Sequence, residues 1–198
     1  MGRGLQSEPA LYSLEVLLPE PLRLEANRWL TLWPGATWPP WGAHITLLVD
    51  LAASGDDFLA DLSQACAQQA PFSVCFDRVV VGDHWAKPGL KTVMLVVDPR
   101  RDPDAEALRR LRLDLISKLG LTPEAIWPEV EGRAYRPHIS LTAGLPEAAA
   151  SRLARAVAAS KVSVRFVVDE IWLLQIDARA QPEQQEERPV CSFPLGIR

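Results

Sequence analysis

The sequence lacks the features of membrane and secreted proteins. No run of about 18 apolar residues is present, because Glu15 interrupts the first apolar stretch, LYSLEVLLP. The chain has only three cysteines, Cys66, Cys75 and Cys191, an odd number without C-x-x-C spacing. Such cysteines are typical of a reducing compartment rather than of a disulfide framework. We therefore expect a cytoplasmic protein with neither a secretory signal nor a membrane span.

The chain also has fewer positively than negatively charged residues. The chain has 21 Lys and Arg against 25 Asp and Glu, which gives a formal net charge of -4 at pH 7. A protein that follows a long nucleic acid needs an extended basic surface. The composition therefore excludes a long electrostatic footprint and favours a partner that is small or bound locally.

Several common motifs are missing as well. The sequence has no P-loop, no G-x-G-x-x-G and no G-x-S-x-G. It has three scattered histidines and no paired carboxylate motif, which argues against a dedicated metal site. We therefore expect neither a metal nor a cofactor.

What the sequence does contain is one short pattern that occurs twice. HITL covers residues 44–47 and HISL covers residues 138–141, so two of the three histidines are followed by an apolar residue, a hydroxyl residue and Leu. A single histidine of this kind is more often structural than catalytic, but a chance double match is rare. The repeated pattern therefore indicates catalysis.

The chemistry follows from the geometry of a strand, where residues i and i+2 project from the same face. His44 and Thr46 should project together, as should His138 and Ser140. Two imidazoles on opposite sides of a cleft suit an in-line displacement at phosphorus, one as base and one as acid. The hydroxyls would donate hydrogen bonds to the non-bridging phosphate oxygens. From the sequence alone, either histidine is suited to either role.

Periodicity predicts an alternation of strands and helices. The predicted strands are residues 11–18, 43–51, 72–81, 91–98, 138–145, 162–170, 171–177 and 189–195. The predicted helices are residues 21–33, 56–70, 103–120 and 146–160. Residues 1–10 are expected to be flexible, and 178–188 are expected to form a mobile polar loop.

Each histidine falls in the second strand of its half, followed by a helix and then a strand. This order predicts a single α+β domain over residues 1–198 with two pseudo-symmetric lobes. Each lobe should hold a small, mostly antiparallel sheet with flanking helices, and the active-site cleft should lie between the lobes.

Four other residues near the motifs are candidates for contact with a substrate. Arg136 precedes Pro137, which favours extended geometry and directs its guanidinium towards a phosphate, although a surface arginine is an equal alternative. Tyr135 would project opposite Arg136, so one of the two should reach the cleft. Trp38 and Trp41 are able to stack on a nucleobase or to seal the lobe interface.

The loop GDHWAKPGL contributes weaker candidates. His84 has no hydroxyl residue two positions later, because residue 86 is Ala, and is interpreted as a turn residue. Trp85 and Lys87 are candidates for the rim of the cleft.

The sequence resembles the two-histidine (2H) phosphoesterase superfamily, in particular its bacterial RNA 2',3'-cyclic phosphodiesterase or 2'-5' RNA ligase branch. The resemblance rests on HITL, on RPHISL at 136–141 and on the duplicated β-α-β order, over roughly residues 10–177. It implies a bilobal fold with a cleft between two antiparallel sheets. It also implies metal-independent cleavage of a cyclic phosphate by His44, Thr46, His138 and Ser140.

The resulting prediction is a monomeric cyclic phosphodiesterase. It should hydrolyse a 2',3'-cyclic phosphate, on an RNA 3' end or a cyclic nucleotide, to a monophosphate. One alternative is 2'-5' RNA ligation, or hydrolysis of another cyclic phosphate or 2'-5' linkage. A second alternative is a module that binds a nucleotide or RNA end without turnover, although such a binder would gain more from Arg or Lys than from two imidazoles.

Overall fold

Strands and helices alternate along most of the chain. The computed structural model describes residues 11–31, 42–52, 55–84, 87–98, 102–121, 135–176 and 187–196. The strands are β1 (Leu11–Leu17), β2 (His44–Ala52), β3 (Phe72–Phe76), β4 (Arg78–Asp83), β5 (Lys91–Val96), β6 (His138–Leu145), β7 (Val164–Val168), β8 (Glu170–Ile176) and β9 (Glu187–Pro194). The helices are α1 (Glu20–Thr31), α2 (Gly55–Ala67), α3 (Asp102–Lys118) and α4 (Glu147–Ala159).

The strands form two main sheets and a ribbon. One sheet has the order β2-β1-β8-β9, the other has the order β4-β5-β6, and β3 pairs with β7. Every pairing between the described strands is antiparallel. The predicted α+β class with small antiparallel sheets is confirmed.

The two strands that carry the motifs occupy equivalent places. β2 is at one end of the four-stranded sheet and β6 is at one end of the three-stranded sheet. These two end strands lie against each other, and α1 also contacts β6. The two sheets therefore meet along the strands that begin with His44 and His138.

The sheets are not built from contiguous halves of the chain. β8 pairs with β1, which places a late strand beside the first one. β3 from the first half pairs with β7 from the second. The repeated element order therefore describes the local sequence of strands and helices, whereas the pairing joins strands from both halves.

The prediction of a single strand over residues 72–81 was wrong. The chain forms β3 and β4 there, with Asp77 between them, and the two strands belong to different sheets. Aspartate is a poor strand former, and at this position the chain passes from one sheet to the next. The apolar residues on both sides of Asp77 and Arg78 hid this boundary.

Apolar stripes on the helices complete the core. On α4 the buried residues are Ala150, Leu153 and Val157, which is helical spacing on one face. α4 packs on β4 and β5, and α3 packs on β3 and α2. The stripe on α3 contains one charged residue, because Arg112 lies between Leu108 and Leu115 and is buried with them.

Some predicted segments fall outside the described residues. These are residues 1–10 and most of the predicted loop at 178–188. The last two residues of that loop belong to β9, which begins at Glu187, two residues before the predicted strand.

Candidate active site

The ring of His44 is fixed by a backbone carbonyl just upstream of β2. Its Nδ1 donates a hydrogen bond to the carbonyl oxygen of Gly42 at 2.9 Å. In the neutral imidazole this bond places the proton on Nδ1 and the lone pair on Nε2. Gly42 has φ +89, a left-handed conformation that residues with a Cβ rarely adopt. The glycine therefore permits the turn that presents this carbonyl.

His138 has the same local arrangement. Its Nδ1 donates to the carbonyl oxygen of Arg136 at 3.0 Å, again two residues upstream. The lone pair of the neutral ring is therefore also on Nε2. In both histidines Nε2 is thus the nitrogen that remains available for proton transfer.

A β-bulge lies at the last residue of the first motif. Glu15 pairs with Thr46 and Leu14 pairs with Leu48, so Leu47 is an extra residue in β2. A bulge bends its strand and changes the direction of the side chains on either side of it. As a result Leu47 and Leu48 are both buried, although they are neighbours in the sequence.

A second bulge lies at the equivalent place in β6. Met94 pairs with Ser140 and Val93 pairs with Thr142, so Leu141 is the extra residue. Leu141 and Thr142 are both buried. The third residue after each histidine is therefore bulged in both strands, which shows that the two motifs share backbone geometry as well as residue types.

The structure brings the two histidines into one site. β2 lies against β6, and the charge of His44 acts on His138. No register shift separates His44 from Thr46 or His138 from Ser140, so each hydroxyl residue shares a face with its histidine. The two hydroxyl residues are half-buried.

The pKa of His138 lies below its ordinary value of 6.5. Burial is the main cause, and the positive charges of His44 and Arg136 add to it, while the hydrogen bond to the Arg136 carbonyl acts in the opposite direction. His138 is therefore neutral at pH 7, with a lone pair on Nε2. A neutral imidazole of this kind is able to accept a proton.

A buried carboxylate close to His44 was not predicted as part of the site. Glu15 is only 1% exposed, and its Oε1 lies 3.8 Å from Nε2 of His44. Its signal in the sequence is that it is the single acid within the apolar stretch LYSLEVLLP. An acid at a buried strand position is unusual and indicates either a partner or a function.

A buried arginine also went unpredicted. Arg112 is 2% exposed, and its Nε donates to the carbonyl of Leu47 at 2.9 Å. Leu47 is the bulged residue of an end strand, so its carbonyl needs a partner from outside the sheet. The signal was an arginine at an apolar position of the helical stripe of α3.

Tyr135 lies beside this arginine, where it supports the site. Its ring is buried under the Arg112 guanidinium at 4.7 Å, and its hydroxyl donates to the carbonyl of Thr46 at 2.8 Å. Arg109 Nε donates to the Tyr135 carbonyl at 3.4 Å. This placement favours a positioning role for Tyr135 over contact with a substrate.

Removing the Tyr135 hydroxyl should weaken its link to β2. We expect Tyr135→Phe to lower the free energy of unfolding by about 1–2 kcal/mol, because the Thr46 carbonyl loses its partner. Urea unfolding checks this, with Tyr12→Phe, the other tyrosine, as the matched control. Equal stability of Tyr135→Phe and wild type would contradict the assignment.

The remaining predicted residues divide into near and distant ones. Arg136 is exposed directly before β6, and its charge acts on His138. Lys87 belongs to the turn between β4 and β5, which lies beside Gly144 at the far end of β6. At about 3.3 Å per residue this turn is roughly 20 Å from His138, so the structure does not bring Lys87 to the site.

Three tryptophans named from the sequence cannot be placed in the same way. Trp38, Trp41 and Trp85 lie outside the described residues. His84, the third histidine, is in the same turn as Lys87 and accepts a hydrogen bond from the Lys87 amide on Nδ1 at 3.1 Å, as expected of a turn residue.

The described residues contain neither a metal cluster nor a membrane-spanning helix. No group of three or more His, Cys, Asp or Glu side chains in that part of the chain is arranged to hold a metal ion. Among its helices, none is both long and apolar enough to cross a membrane.

Comparison with solved structures gives the fold a class. E. coli LigT in its apo form has a TM-score of 0.61 and 18% identity, over 96% of this chain and 100% of LigT. E. coli LigT complexed with 3'-AMP has a TM-score of 0.59 and 19% identity, over 95% and 99%. The Thermus thermophilus protein TT0787 has a TM-score of 0.55 and 19% identity, over 95% and 100%. The protein therefore has the two-lobed fold of LigT.

The family follows from the sequence itself. The family profile of the 2'-5' RNA ligase superfamily matches residues 18–180, which is most of the chain and includes both motifs. The chain belongs to this superfamily and is thus a 2H phosphoesterase. The search of curated proteins found no match.

Proposed function

We propose that the protein is a metal-independent phosphodiesterase that hydrolyses a 2',3'-cyclic phosphate, on an RNA 3' end or a nucleotide, to a monophosphate. The observation that carries this proposal is the pair of equivalent histidines. Both are bonded through Nδ1 to the carbonyl two residues upstream, and both strands are bulged at the same distance after the histidine. Such a pair is suited to giving and taking one proton each across a single phosphate.

In this proposal the neutral His138 is the base. Its Nε2 takes a proton from water as the water oxygen attacks phosphorus. The bond from phosphorus to one ribose oxygen breaks, and that oxygen receives a proton from Nε2 of His44. The products are a phosphomonoester and a free ribose hydroxyl, and solvent returns the proton from His138 to His44.

The hydroxyls of Thr46 and Ser140 bind the phosphate in the same proposal. Each projects from the face of its strand that carries the histidine, so they approach the non-bridging oxygens from opposite lobes. Hydrogen bonds that strengthen as charge develops on these oxygens lower the barrier. Arg136, exposed beside His138, supplies a positive charge to the same group.

The relatives support a nucleotide substrate. E. coli LigT has been crystallised with 3'-AMP and with phosphate. A nucleoside monophosphate is the kind of product that hydrolysis of a cyclic nucleotide releases. The name of the superfamily also supports a second candidate function, RNA ligation, in which an RNA 5'-hydroxyl replaces water as the attacking group.

Turnover of defined substrates tests the proposal. We expect purified protein to hydrolyse nucleoside 2',3'-cyclic phosphates in the presence of EDTA at the rate seen without it, as measured by chromatography of the products. The double variant His44→Ala/His138→Ala is the control for contaminating activity. Loss of activity on chelation, restored by a divalent cation, would overturn the metal-independent mechanism.

Two other results would redirect the proposal. A 2'-5'-linked product from an RNA with a cyclic end and an RNA with a 5'-hydroxyl would establish ligation. Tight binding of a cyclic nucleotide with no turnover at any pH would establish a binding module.

A further inference from the structure

The two halves of the site differ in the residue that faces the hydroxyl residue of each motif. Across β1 and β2, Glu15 faces Thr46, and across β5 and β6, Met94 faces Ser140. Glu15 and Met94 therefore occupy equivalent positions beside equivalent motifs. One is a carboxylate and the other a thioether, so the electrostatic environments of the two histidines are not the same.

The carboxylate is placed where it acts on one histidine. Glu15 is 1% exposed, its Oε1 lies 3.8 Å from Nε2 of His44, and the Ser13 hydroxyl donates to the same oxygen at 3.4 Å. A carboxylate that loses water on burial is stabilised by a nearby positive charge. A proton on Nε2 of His44 supplies that charge.

Several positively charged groups among the described residues lie close to the two motifs. Arg23 of α1 packs its side chain against Gly42, and Arg112 of α3 bonds to β2. On the β6 side are His138 and the exposed Arg136. Each of these groups is positive or becomes positive on protonation and so opposes a proton on His44, whereas the negative charge of Glu15 favours it.

We propose that Glu15 is a positioning residue that holds the reactive proton on Nε2 of His44 and thereby makes His44 the general acid. This inference rests on the proposed function, because an acid is needed only if a ribose oxygen leaves. It assigns the roles that the symmetry of the two motifs leaves open. The half with the carboxylate supplies the acid, and the half with Met94 supplies the base.

The first experiment is a direct titration of the histidines, which does not depend on turnover. The chain has three histidines, so their NMR signals can be assigned with single His→Ala variants. We expect His44 to lose its proton at the highest pH of the three, since burial lowers the pKa of both His138 and His84. If His44 titrates at or below the ordinary value for histidine, the proposal is overturned even where catalysis is normal.

The second experiment removes the charge and keeps the shape. In Glu15→Gln we expect the His44 titration to move to lower pH by about one unit, because the group that stabilises its charged form is gone. The alkaline limb of the pH profile of kcat should move with it, while the acid limb, which belongs to His138, should stay. At neutral pH kcat should fall roughly tenfold with little change in KM.

Two further variants control the second experiment. Glu20→Gln makes the same change at an exposed residue and should leave the profile unchanged, whereas Glu15→Asp keeps the charge and should restore part of the wild-type profile. An unmoved alkaline limb in a folded Glu15→Gln variant would refute the role of Glu15. If Glu15→Gln does not fold, the order in which the three histidines of the wild-type protein lose their protons still tests the role of Glu15.

The two proposals fail in different ways. The wild-type protein could hydrolyse no cyclic phosphate, while His44 loses its proton at the highest pH of the three histidines and does so at lower pH in Glu15→Gln. In that case the carboxylate acts as inferred and the proposed reaction is wrong. If the wild-type protein is active and His44 titrates at the same pH in wild type and in Glu15→Gln, the proposed reaction stands and the assignment of the acid fails.

Discussion

Replacing either His44 or His138 by alanine should lower kcat on a nucleoside 2',3'-cyclic phosphate by roughly 10²-fold to 10⁴-fold. In the proposed mechanism each imidazole moves a proton in the displacement, and water is a much poorer acid or base at neutral pH. The double variant should lose less than the product of the two losses, because the two groups act in one step. Steady-state kinetics measures all three.

The same variants distinguish base from acid. Raising the pH should partly rescue His138→Ala, because hydroxide replaces the missing base. His44→Ala should instead be rescued by a phosphodiester whose 4-nitrophenolate leaving group departs without a proton. His84→Ala is the matched control, since the turn that holds it lies at the far end of β6. Normal turnover by either active-site variant would end the two-histidine mechanism.

Replacing the hydroxyl residues of the two motifs should have the next largest effect on kcat. We expect Thr46→Val and Ser140→Ala each to reduce kcat by about 10²-fold to 10³-fold with a smaller change in KM. A hydroxyl that donates to a non-bridging oxygen contributes most when charge develops on that oxygen, which is in the transition state. Comparing kcat with kcat/KM for the same substrate measures this difference.

Thr142→Val provides a control for the hydroxyl variants within β6. Thr142 is buried beyond the bulge, and within the described part of the chain its Oγ1 has no hydrogen-bond partner. This variant should therefore keep the wild-type kcat. An equal loss in Thr142→Val and Ser140→Ala would mean that disturbance of β6, rather than loss of a phosphate contact, lowers the rate.

The sequence was sufficient to predict the strands that carry the motifs. A period of two along a strand fixes which side chains share a face, so His44 with Thr46 and His138 with Ser140 follow from spacing alone. The second-strand position of each histidine follows from counting predicted elements. These predictions depend on local geometry, which a single sequence records directly.

Features that depend on pairing were beyond the sequence. A bulge at Leu47 or Leu141 is a relation between two strands, and a leucine in a strand gives no sign in the sequence that it is bulged. The break at Asp77 was missed because the apolar residues of β3 and β4 are separated by only two charged residues, and their different partners are not visible in the sequence. Local patterning does not contain this information, because register is set by tertiary contacts.

Glu15 and Arg112 form a third category. Arg112 is a charged residue at an apolar position of its helical pattern, and Glu15 is the single acid in an apolar stretch, so each could have been identified as exceptional. Their partners could not have been named from the sequence. Glu15 lies beside His44 of the neighbouring strand, and Arg112 donates a hydrogen bond to the carbonyl of the bulged Leu47 in β2. A charged residue out of pattern thus predicts a buried contact without saying where that contact is.

The exchange of strands between the halves has a consequence for how the protein is made. β1 is synthesised first, but its neighbour β8 leaves the ribosome only after both histidines and α4 have been translated. The side of β1 that pairs with β8 must therefore stay without its partner through most of the synthesis, although β2 is able to pair with the other side early, and closing so long a loop is slow. A ribosome that stalls after α4 has produced every side chain that we propose to be catalytic, but not strand β8, which pairs with β1. The reaction should therefore become available only in the last stage of translation.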